Sequence, residues 1–448
     1  MCAVWSIRGA GRRAEPLTGA GRWLYLSATV LAWVLVAAPW APATAQAPGA
    51  TPVSVEGLVA RAVADNPELR AARAEIEAAV GRLHQAALRP NPMLDLGGQR
   101  ALGPDNNLMI GLTVPLDLNG RRDGRVGVAQ RELEMKHALV AERERRLRAE
   151  LRLKAGEHLA ARRNLAVTDT LLQANREALE LIRARVAQGA TPPLEENLML
   201  VEVNRLEAPR QVLASRAEVA AMQLKTLAGM PVEWPLTLAG DLRLEEGRAW
   251  AREDAVRSAL AGRPDLDAAR ADVAMAGARI RKEEAEGRWD ASINVGYQRQ
   301  NFGYDLRGLT AGGGTRPIQD VFHYFGGGVT VTLPVRNRNE GNVAAAGAER
   351  TAAERRLDAA TLAIRQEVEA AITQHDAARR ALDIYERGVR EVAQRNLDVV
   401  RQTHSLGRGT LLDVIAEQRR YIDVEHGYTE ALRQVYDAAV EIRRVLGQ

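Results

Sequence analysis

The chain has 448 residues, of which 46% are hydrophobic, and its formal net charge is +4. Most of that charge lies in residues 1–45, so the chain without this segment carries about +1 and gives no support to a nucleic-acid partner. Only three phenylalanines are present although alanine is frequent, and small side chains suit closely packed helices better than a thick globular core.

Residues 1–45 have the features of a secretory signal peptide. Arginines, the last of them Arg22, precede an apolar run at residues 23–38, and the small residues 43–45 fit the cleavage rule. A transmembrane anchor is the alternative, but the run is short for a span of about 20 residues. The only cysteine, Cys2, lies inside this segment, so we expect a mature chain with no disulfide, no thiolate metal site and no lipid anchor.

The rest of the chain contains an internal repeat. The stretch DNPELRAARAEIEAA around Pro67 is echoed by GRPDLDAARADVAMA around Pro264. Because proline is tolerated in the first turn of a helix and not in its interior, each proline marks either a break or a new helical start. We therefore predict repeats at residues 46–229 and 250–448, separated by an irregular segment at residues 230–249.

Each repeat is predicted to contain a β-hairpin. Apolar and polar residues alternate along residues 93–116 and again along residues 290–334, which is the period of a strand with one apolar face. In the second hairpin we place a long glycine-rich loop at residues 302–320, and we interpret the aromatic residues around it as an interfacial girdle. The side chains predicted to face lipid are Leu94, Leu112, Val114, Ile293, Val295, Val331 and Leu333.

A long helix follows each hairpin, and a glycine turn then leads into a return helix. The long helices are predicted at residues 124–188 and 342–404, and the return helices at residues 194–228 and 411–446. Leucine or valine recurs every seventh residue from Leu165 to Val186, which is typical of a coiled coil. A helix of some 65 residues spans roughly 100 Å.

Two hairpins leave open strand edges and an apolar face that needs a partner. In lipid the edges must close, because each unpaired backbone group costs several kcal/mol. Four strands are too few to close a barrel, so we expect a symmetric oligomer to which each chain contributes four strands. A signal peptide without a later apolar helix then predicts the outer membrane of a Gram-negative cell. A soluble sheet with an aromatic core is the alternative.

The order of these features resembles one known family. The NPEL and RPDL words followed by Ala-Ala-Arg, the two strand–proline–polar turn segments, and the stretch GRGTLLDVIAEQRRYIDVEHGYTEAL at residues 407–432 are similar to the TolC family of outer-membrane efflux proteins. The segment PLDLNGRR at residues 115–122 resembles the heavy-metal-efflux branch. The resemblance implies a mostly α-helical fold with a membrane β-barrel portion: antiparallel coiled-coil helices, four strands per chain, and a homotrimer with a twelve-stranded barrel above a helical tunnel.

The resemblance also implies partners. A periplasmic adaptor would dock on the helical tips and bridge to an inner-membrane pump of RND type, while outer-membrane lipid surrounds the barrel. A carboxylate ring at the tunnel mouth, formed by Asp413 and Glu195, would be the pore constriction. The alternatives are ordinary helix capping for the glycines and a favourable position in the helix dipole for the two acids. The predicted docking residues are Gly189, Thr191, Gly407, Arg408 and Thr410.

We recognise no catalytic, cofactor-binding or metal-binding constellation in the sequence. The seven histidines are scattered, with none paired at helical spacing. We therefore predict a non-enzymatic exit duct of a tripartite efflux system, with heavy-metal cations as a candidate cargo. The alternatives are a drug-efflux or type I protein-secretion duct and, in another class, a periplasmic coiled-coil scaffold or adaptor.

Overall fold

The computed structural model describes residues 52–102, 105–243 and 251–448. The predicted signal peptide and the end of the inter-repeat segment, residues 244–249, lie outside this part of the chain. Helices make up most of the described residues, which confirms the mostly helical fold expected from the sequence. The helices are α1 Val55–Asp65, α2 Pro67–Ala87, α3 Arg121–Ala187, α4 Pro193–Leu227, α5 Arg252–Gly262, α6 Pro264–Glu286, α7 Glu340–Ile384, α8 Arg390–Ser405 and α9 Leu411–Val445.

The strands form two sheets of different size. A short parallel pair joins β1, Val53–Ser54, to β4, Leu238–Ala239. An antiparallel sheet has the order β2-β3-β5-β6, so that β2 and β6 are its edges. Its members are β2 Met93–Arg100, β3 Asn106–Pro115, β5 Asp290–Leu309 and β6 Thr315–Thr332.

The boundary between α1 and α2 shows how Pro67 acts. Pro67 occupies the first turn of α2, and the Asn66 side chain accepts a hydrogen bond from the Leu69 amide, 2.9 Å away. The Asn66 amide group also donates to the Leu227 carbonyl at 2.9 Å, which fixes this break against the end of α4. Pro264 begins α6 in the same way, so each proline starts a new helix.

The second hairpin is longer than the sequence suggests, and the prediction of a loop at residues 302–320 is wrong. Strands β5 and β6 stay paired up to Leu309 and Thr315, with one irregularity near Tyr304. The connecting turn is closed by bonds between Thr310 and Gly314. The glycines in this segment suggested a loop. The aromatic and apolar side chains between these glycines are instead part of two strands that pair with each other.

The second long helix differs from the single helix expected at residues 342–404. A π-helical turn, Tyr385–Val389, separates α7 from α8. Tyr385 lies against Gly427 of α9, where an added Cβ would come within 2.6 Å of the tyrosine hydroxyl oxygen. The π turn therefore sits where a bulky side chain of one helix packs on a glycine of the next, a tertiary contact that helix periodicity does not reveal.

Both junctions between sheet and long helix turn through left-handed backbone. Gly120 has a φ of 79° just before α3, and Asn339 has a φ of 62° just before α7. Asparagine tolerates this region better than most residues because its short side chain bonds locally. Here the Asn339 amide group donates to the Glu283 carbonyl at 2.9 Å, which ties the start of α7 to the end of α6.

The buried apolar side chains form separate clusters along the helices. The central cluster includes Leu151 and Leu224 with Tyr436. A second cluster, around Ile364 and Val368, packs α5 and α6 on α7 and the end of α9. The third, which we call the tip cluster, lies between α3, α4 and α9. It comprises Leu171, Leu172, Leu179, Ile182, Met199, Val203, Leu206, Leu411, Ile415 and Ile422.

Candidate functional site: helical tips and strand faces

The two helical tips, residues 188–193 and 405–410, have the same geometry. Gly189 and Gly407 both have positive φ, 68° and 71°, and an added Cβ would meet no atom within 4 Å at either position. The next amide, that of Ala190 or Arg408, donates to the carbonyl five residues earlier, at 2.9 and 3.0 Å. This is a Schellman motif, in which glycine adopts the left-handed conformation at no steric cost.

The tip cluster brings both tips to one end of the helices. Ile182 of α3 and Met199 of α4, on either side of the first tip, pack with Leu411 and Ile415, which follow the second. The predicted docking residues therefore share one end of the molecule. Gly407, Arg408 and Thr410 are exposed there, Gly189 likewise, and Thr191 is partly buried.

The two predicted constriction acids have different surroundings. Asp413 forms a reciprocal capping box with Thr410: its carboxylate accepts from the Thr410 amide at 3.0 Å and from the Thr410 hydroxyl at 2.7 Å. The hydroxyl and amide bonds together hold the pKa of Asp413 below its ordinary value. Glu195 occupies the same position in α4, but the residue before that helix is Pro192, which has no side-chain cap. Of the two acids, Asp413 is therefore the one whose carboxylate is held by a capping box.

The strand register separates the large sheet into two faces. Residues directly opposite each other in an antiparallel pair point to the same side. Leu112 lies opposite Leu94 on one strand and Val295 on the other, and its side chain is 42% exposed. The shared face, which we call the apolar face, consists of Leu94, Leu96, Leu108, Ile110, Leu112, Val114, Ile293, Val295, Tyr297, Phe325, Val329 and Val331.

Six of the seven residues predicted to face lipid lie on the apolar face. The seventh, Leu333, is 66% exposed but follows the last residue of β6. None of the seven side chains is buried. Within the described chain, the four strands of the large sheet make their main contacts with one another, so no helix covers the apolar face. A broad uncovered apolar surface of this kind marks a contact with lipid or with another protein.

The opposite face of the sheet is mainly polar near the helices. Asn294 donates to Thr330 at 2.6 Å across β5 and β6, and Thr113 donates to Asp95 at 3.4 Å across β3 and β2. We call this the polar face, and it would suit a water-filled interior. Hydrogen bonds of this type reinforce the cross-strand pairs that set the register.

The aromatic residues divide between the two faces, which the sequence reading missed. Tyr297 and Phe325 are on the apolar face, with ring centroids 5.1 Å apart. Phe302, Phe322 and Tyr324 are on the polar face, because the alternation places even-numbered positions of β5 and β6 there. Only the first pair can belong to an interfacial girdle. Strand parity along residues 297–325 was the signal that could have separated them.

A second feature that sequence reasoning missed lies midway along the helices. The guanidinium groups of Arg163 and Arg390 both lie over the ring of Tyr428, at 5.2 and 4.9 Å from its centroid. The buried Glu425 carboxylate pairs with Arg390 at 2.5 Å. Tyr428, Arg390 and Glu425, but not Arg163, line a cavity of about 730 Å³ beside the π turn. The charged groups named here already have partners within the chain.

Neither a metal site nor a spanning helix is found in the described residues. Within residues 52–102, 105–243 and 251–448, no three His, Cys, Asp or Glu side chains are grouped so as to hold a metal ion. The same part of the chain has no helix that is long and apolar enough to span a membrane.

A sheet with an exposed apolar face that is joined to very long helices is a fold shared with solved membrane proteins. The fold is similar to that of a membrane protein from Pseudomonas aeruginosa, with a TM-score of 0.71 and 20% identity over 88% of this chain and 93% of that one. It is also similar to the MtrE outer membrane channel of Neisseria gonorrhoeae in its open state, with a TM-score of 0.68 and 18% identity over 88% of each chain.

The sequence comparisons identify the family. The model of the outer membrane efflux protein family matches residues 58–229 and again residues 255–448, and the chain belongs to this family. The cobalt-zinc-cadmium resistance protein CzcC of Cupriavidus metallidurans is 22% identical over 399 residues, which are 89% of this chain and 91% of that protein. The resemblance inferred from the sequence is therefore confirmed: this is an outer-membrane efflux channel protein, of a family of transport proteins and not of enzymes.

Proposed function

We propose that three copies of this chain form a closed barrel of twelve strands above a tunnel of helices, and that this assembly is a passive exit duct. The observation that carries the proposal is the apolar face, which is exposed on a sheet whose edges β2 and β6 have no partner strand within the described chain. In lipid such edges are too costly to leave open. Pairing β6 of one chain with β2 of the next closes the sheet and removes both edges.

An internal repeat supports this architecture. Besides the matching tips, both return helices end in the same turn: the Met230 amide donates to the Lys225 carbonyl and the Gln448 amide to the Arg443 carbonyl, at 2.8 and 3.0 Å. The family model also matches the chain twice. We infer that the two halves are structural repeats. Three chains would then form a wall of six equivalent units around the tunnel.

The shared end of the two tips suits a protein partner. An added Cβ at Gly407 would meet no atom within 4 Å, and Arg408 beside it is exposed, so this end leaves room for the backbone of a partner's helical hairpin. We propose that a periplasmic adaptor docks there and joins the duct to an inner-membrane pump of RND type. Energy for transport would come from that pump, and the duct itself would bind no cofactor.

Heavy-metal cations are the cargo we propose. The likeness to CzcC, whose name refers to cobalt, zinc and cadmium resistance, covers nearly the whole chain. A duct need not hold a resident metal site, because a cation that passes through a wide pore must not be bound tightly. The drug-efflux and protein-secretion alternatives differ from this proposal only in the pump that feeds the duct.

Arginine on the apolar face tests the proposal. Leu112 lies in the centre of that face, and an arginine near the middle of a bilayer costs about 2–4 kcal/mol. We expect Leu112→Arg to lower strongly the amount of chain recovered in outer-membrane fractions. The matched control is Thr113→Arg on the polar face, which should assemble at close to the wild-type amount.

The rival class predicts another pattern in the same fractions. A soluble periplasmic scaffold would stay in the soluble fraction whether or not arginine is introduced. Equal recovery of both variants in the soluble periplasm would therefore overturn the duct and support the scaffold.

A further inference from the structure

We propose that Arg299 and Arg100 bind the phosphate of an outer-leaflet lipid headgroup where the apolar face ends. This inference rests on the proposed function, because it takes the apolar face to be in contact with lipid. The positions follow from the strand register. We call a row the set of residues that lie directly opposite one another across the four strands. Tyr297 and Phe325 share one row of the apolar face. On the same side of the sheet, Arg299 lies in the next row away from the helices, and Arg100 lies in the row after that.

Within the paired strand rows, the charged residues on this side of the sheet are of one sign. Asp105, in the turn just before β3, has its carboxylate occupied by the Gly303 amide at 2.6 Å. In the paired rows up to Gly303, every acidic strand residue, namely Asp95, Asp290 and Asp320, falls on the polar face. The apolar face in those rows carries arginine and no carboxylate. It therefore has a local positive potential that favours an anion.

The two arginines are exposed and have no ion pair within the described residues. This sets them apart from arginines such as Arg263 and Arg145, which are buried in paired networks along the helices. A guanidinium without a carboxylate partner keeps all its donors available for a planar, bidentate contact with phosphate.

The apolar rows between the arginines and the helices indicate that the anion is part of a lipid. From Val331 to Phe325 the apolar face extends six residues, which is about 20 Å along a strand. Tyr297 lies in the last row of this band in which all four residues are apolar, because the next row combines Leu108 with Arg299 and His323. The Tyr297 hydroxyl lies 2.7 Å from Nδ1 of His323. An amphipathic aromatic with one apolar and one hydrogen-bonded end is typical of a membrane interface. Acyl chains would pack on the rows below while the headgroup phosphate reaches the arginines.

The spacing suits a single headgroup in each chain. Arg100 and Arg299 are on strands separated only by β3, so their backbones are about 10 Å apart across the sheet. They are also offset by one row, about 7 Å along the strands. Two extended arginine side chains are long enough to reach one group bound between these positions. A trimer would then carry three such sites around its outer rim.

Lipid retention by purified trimers tests the inference. Native mass spectrometry would compare wild type, the double variant Arg299→Gln with Arg100→Gln, and Arg316→Gln, an exposed arginine near the turn of the long hairpin. The probes are diphosphoryl lipid A, a phosphate-free lipid of equal acyl content, and inorganic phosphate. We expect wild type and Arg316→Gln to retain diphosphoryl lipid A about tenfold more than the double variant.

The other probes separate the sources of phosphate. The phosphate-free lipid should be retained equally by all three proteins, and millimolar inorganic phosphate should not displace lipid A. Equal retention of lipid A by wild type and the double variant would overturn the inference, as would full displacement by inorganic phosphate. If either of these two results is obtained with intact trimers, it contradicts the lipid site but not the proposed function. Failure of the wild type to yield membrane trimers would instead count against the proposed function itself.

Discussion

Asp413 shows how one residue can serve both folding and transport. Its carboxylate begins α9 by bonding to Thr410, and the same bonds keep it ionised by holding its pKa below the ordinary value. A group whose pKa is lowered by folding stabilises the folded state at pH values above its unfolded pKa. That contribution is lost only as the pH falls through the folded pKa, so the charge persists at neutral and mildly acid pH.

Asp413→Asn should reduce the preference of the duct for cations. Three carboxylates from three chains at one mouth favour cations over anions, and the amide removes all three charges. The measurement is the reversal potential in a KCl gradient across a planar bilayer. Asp254→Asn on α5, an exposed carboxylate on a helix that packs far from the tip cluster, controls for the change in net charge. An unchanged reversal potential in Asp413→Asn would show that the constriction lies elsewhere.

At the scale of elements, three irregularities fall at one level of the helices. Pro209 lies inside α4, and next to it Arg210 pairs with Asp169 of α3 at 2.5 Å. Buried polar residues such as Thr168 and Glu425 occupy the same level between the central and tip clusters. The π turn is joined to this level because Arg390, which follows it, pairs with Glu425.

Each irregularity weakens the helical hydrogen-bond ladder or the apolar packing. Proline lacks an amide donor and leaves a carbonyl in the preceding turn without its helical partner. A layer of polar side chains contributes less burial of apolar surface than the clusters on either side. This level should therefore open locally at a lower free energy than the tip cluster.

Hydrogen exchange measures this difference directly. We expect backbone amides at residues 163–169 and 205–213 to exchange faster than those at residues 171–182. Replacing Pro209 with alanine restores a donor and should slow exchange in α4 at this level while leaving the tip cluster unchanged. If exchange is uniform along α3 and α4 in the wild type, the level is no weaker than its surroundings.

Sequence periodicity recovered the helices well because their patterns are local. The heptads around Leu172 and the prolines that start α2 and α6 depend on neighbours along the chain. The π turn could not be predicted this way, since its setting is the contact of Tyr385 with Gly427, 42 residues away. The long second hairpin was missed because glycine content suggested a loop, while cross-strand pairing of the aromatic residues stabilises strands.

The candidate site was only partly predictable from sequence. Glycine at positions 189 and 407 signals a turn from composition alone, and both glycines do have positive φ. The side of the sheet on which each aromatic residue lies follows from strand parity, but that signal was lost because residues 302–320 were predicted as a loop. Arg100 and Arg299 could not be identified as a candidate anion site from the sequence, because only the strand register shows that they lie on the side of the sheet without acidic strand residues.

At the scale of the whole molecule, the proposed duct depends on which strands pair with the open edges of the large sheet. Within one chain, β2 and β6 are separated by β3 and β5, so their backbones are about 14 Å apart. Closure by neighbouring chains would bring β2 of one copy beside β6 of the next. The apolar face would then surround the barrel, and the polar face would line its interior.

Engineered disulfides between these edges test closure most directly, because the sequence has no cysteine after Cys2. Asp95→Cys in β2 would be combined in turn with a cysteine at each polar-face position of β6 from Phe322 to Thr330. A disulfide requires Cα atoms about 4.4–6.8 Å apart, so no bond can form within one open sheet. We predict that oxidation in membranes links two and then three chains at one or two adjacent positions, with no larger species. The absence of linkage at every position, or a ladder that continues beyond three chains, would contradict the trimeric duct.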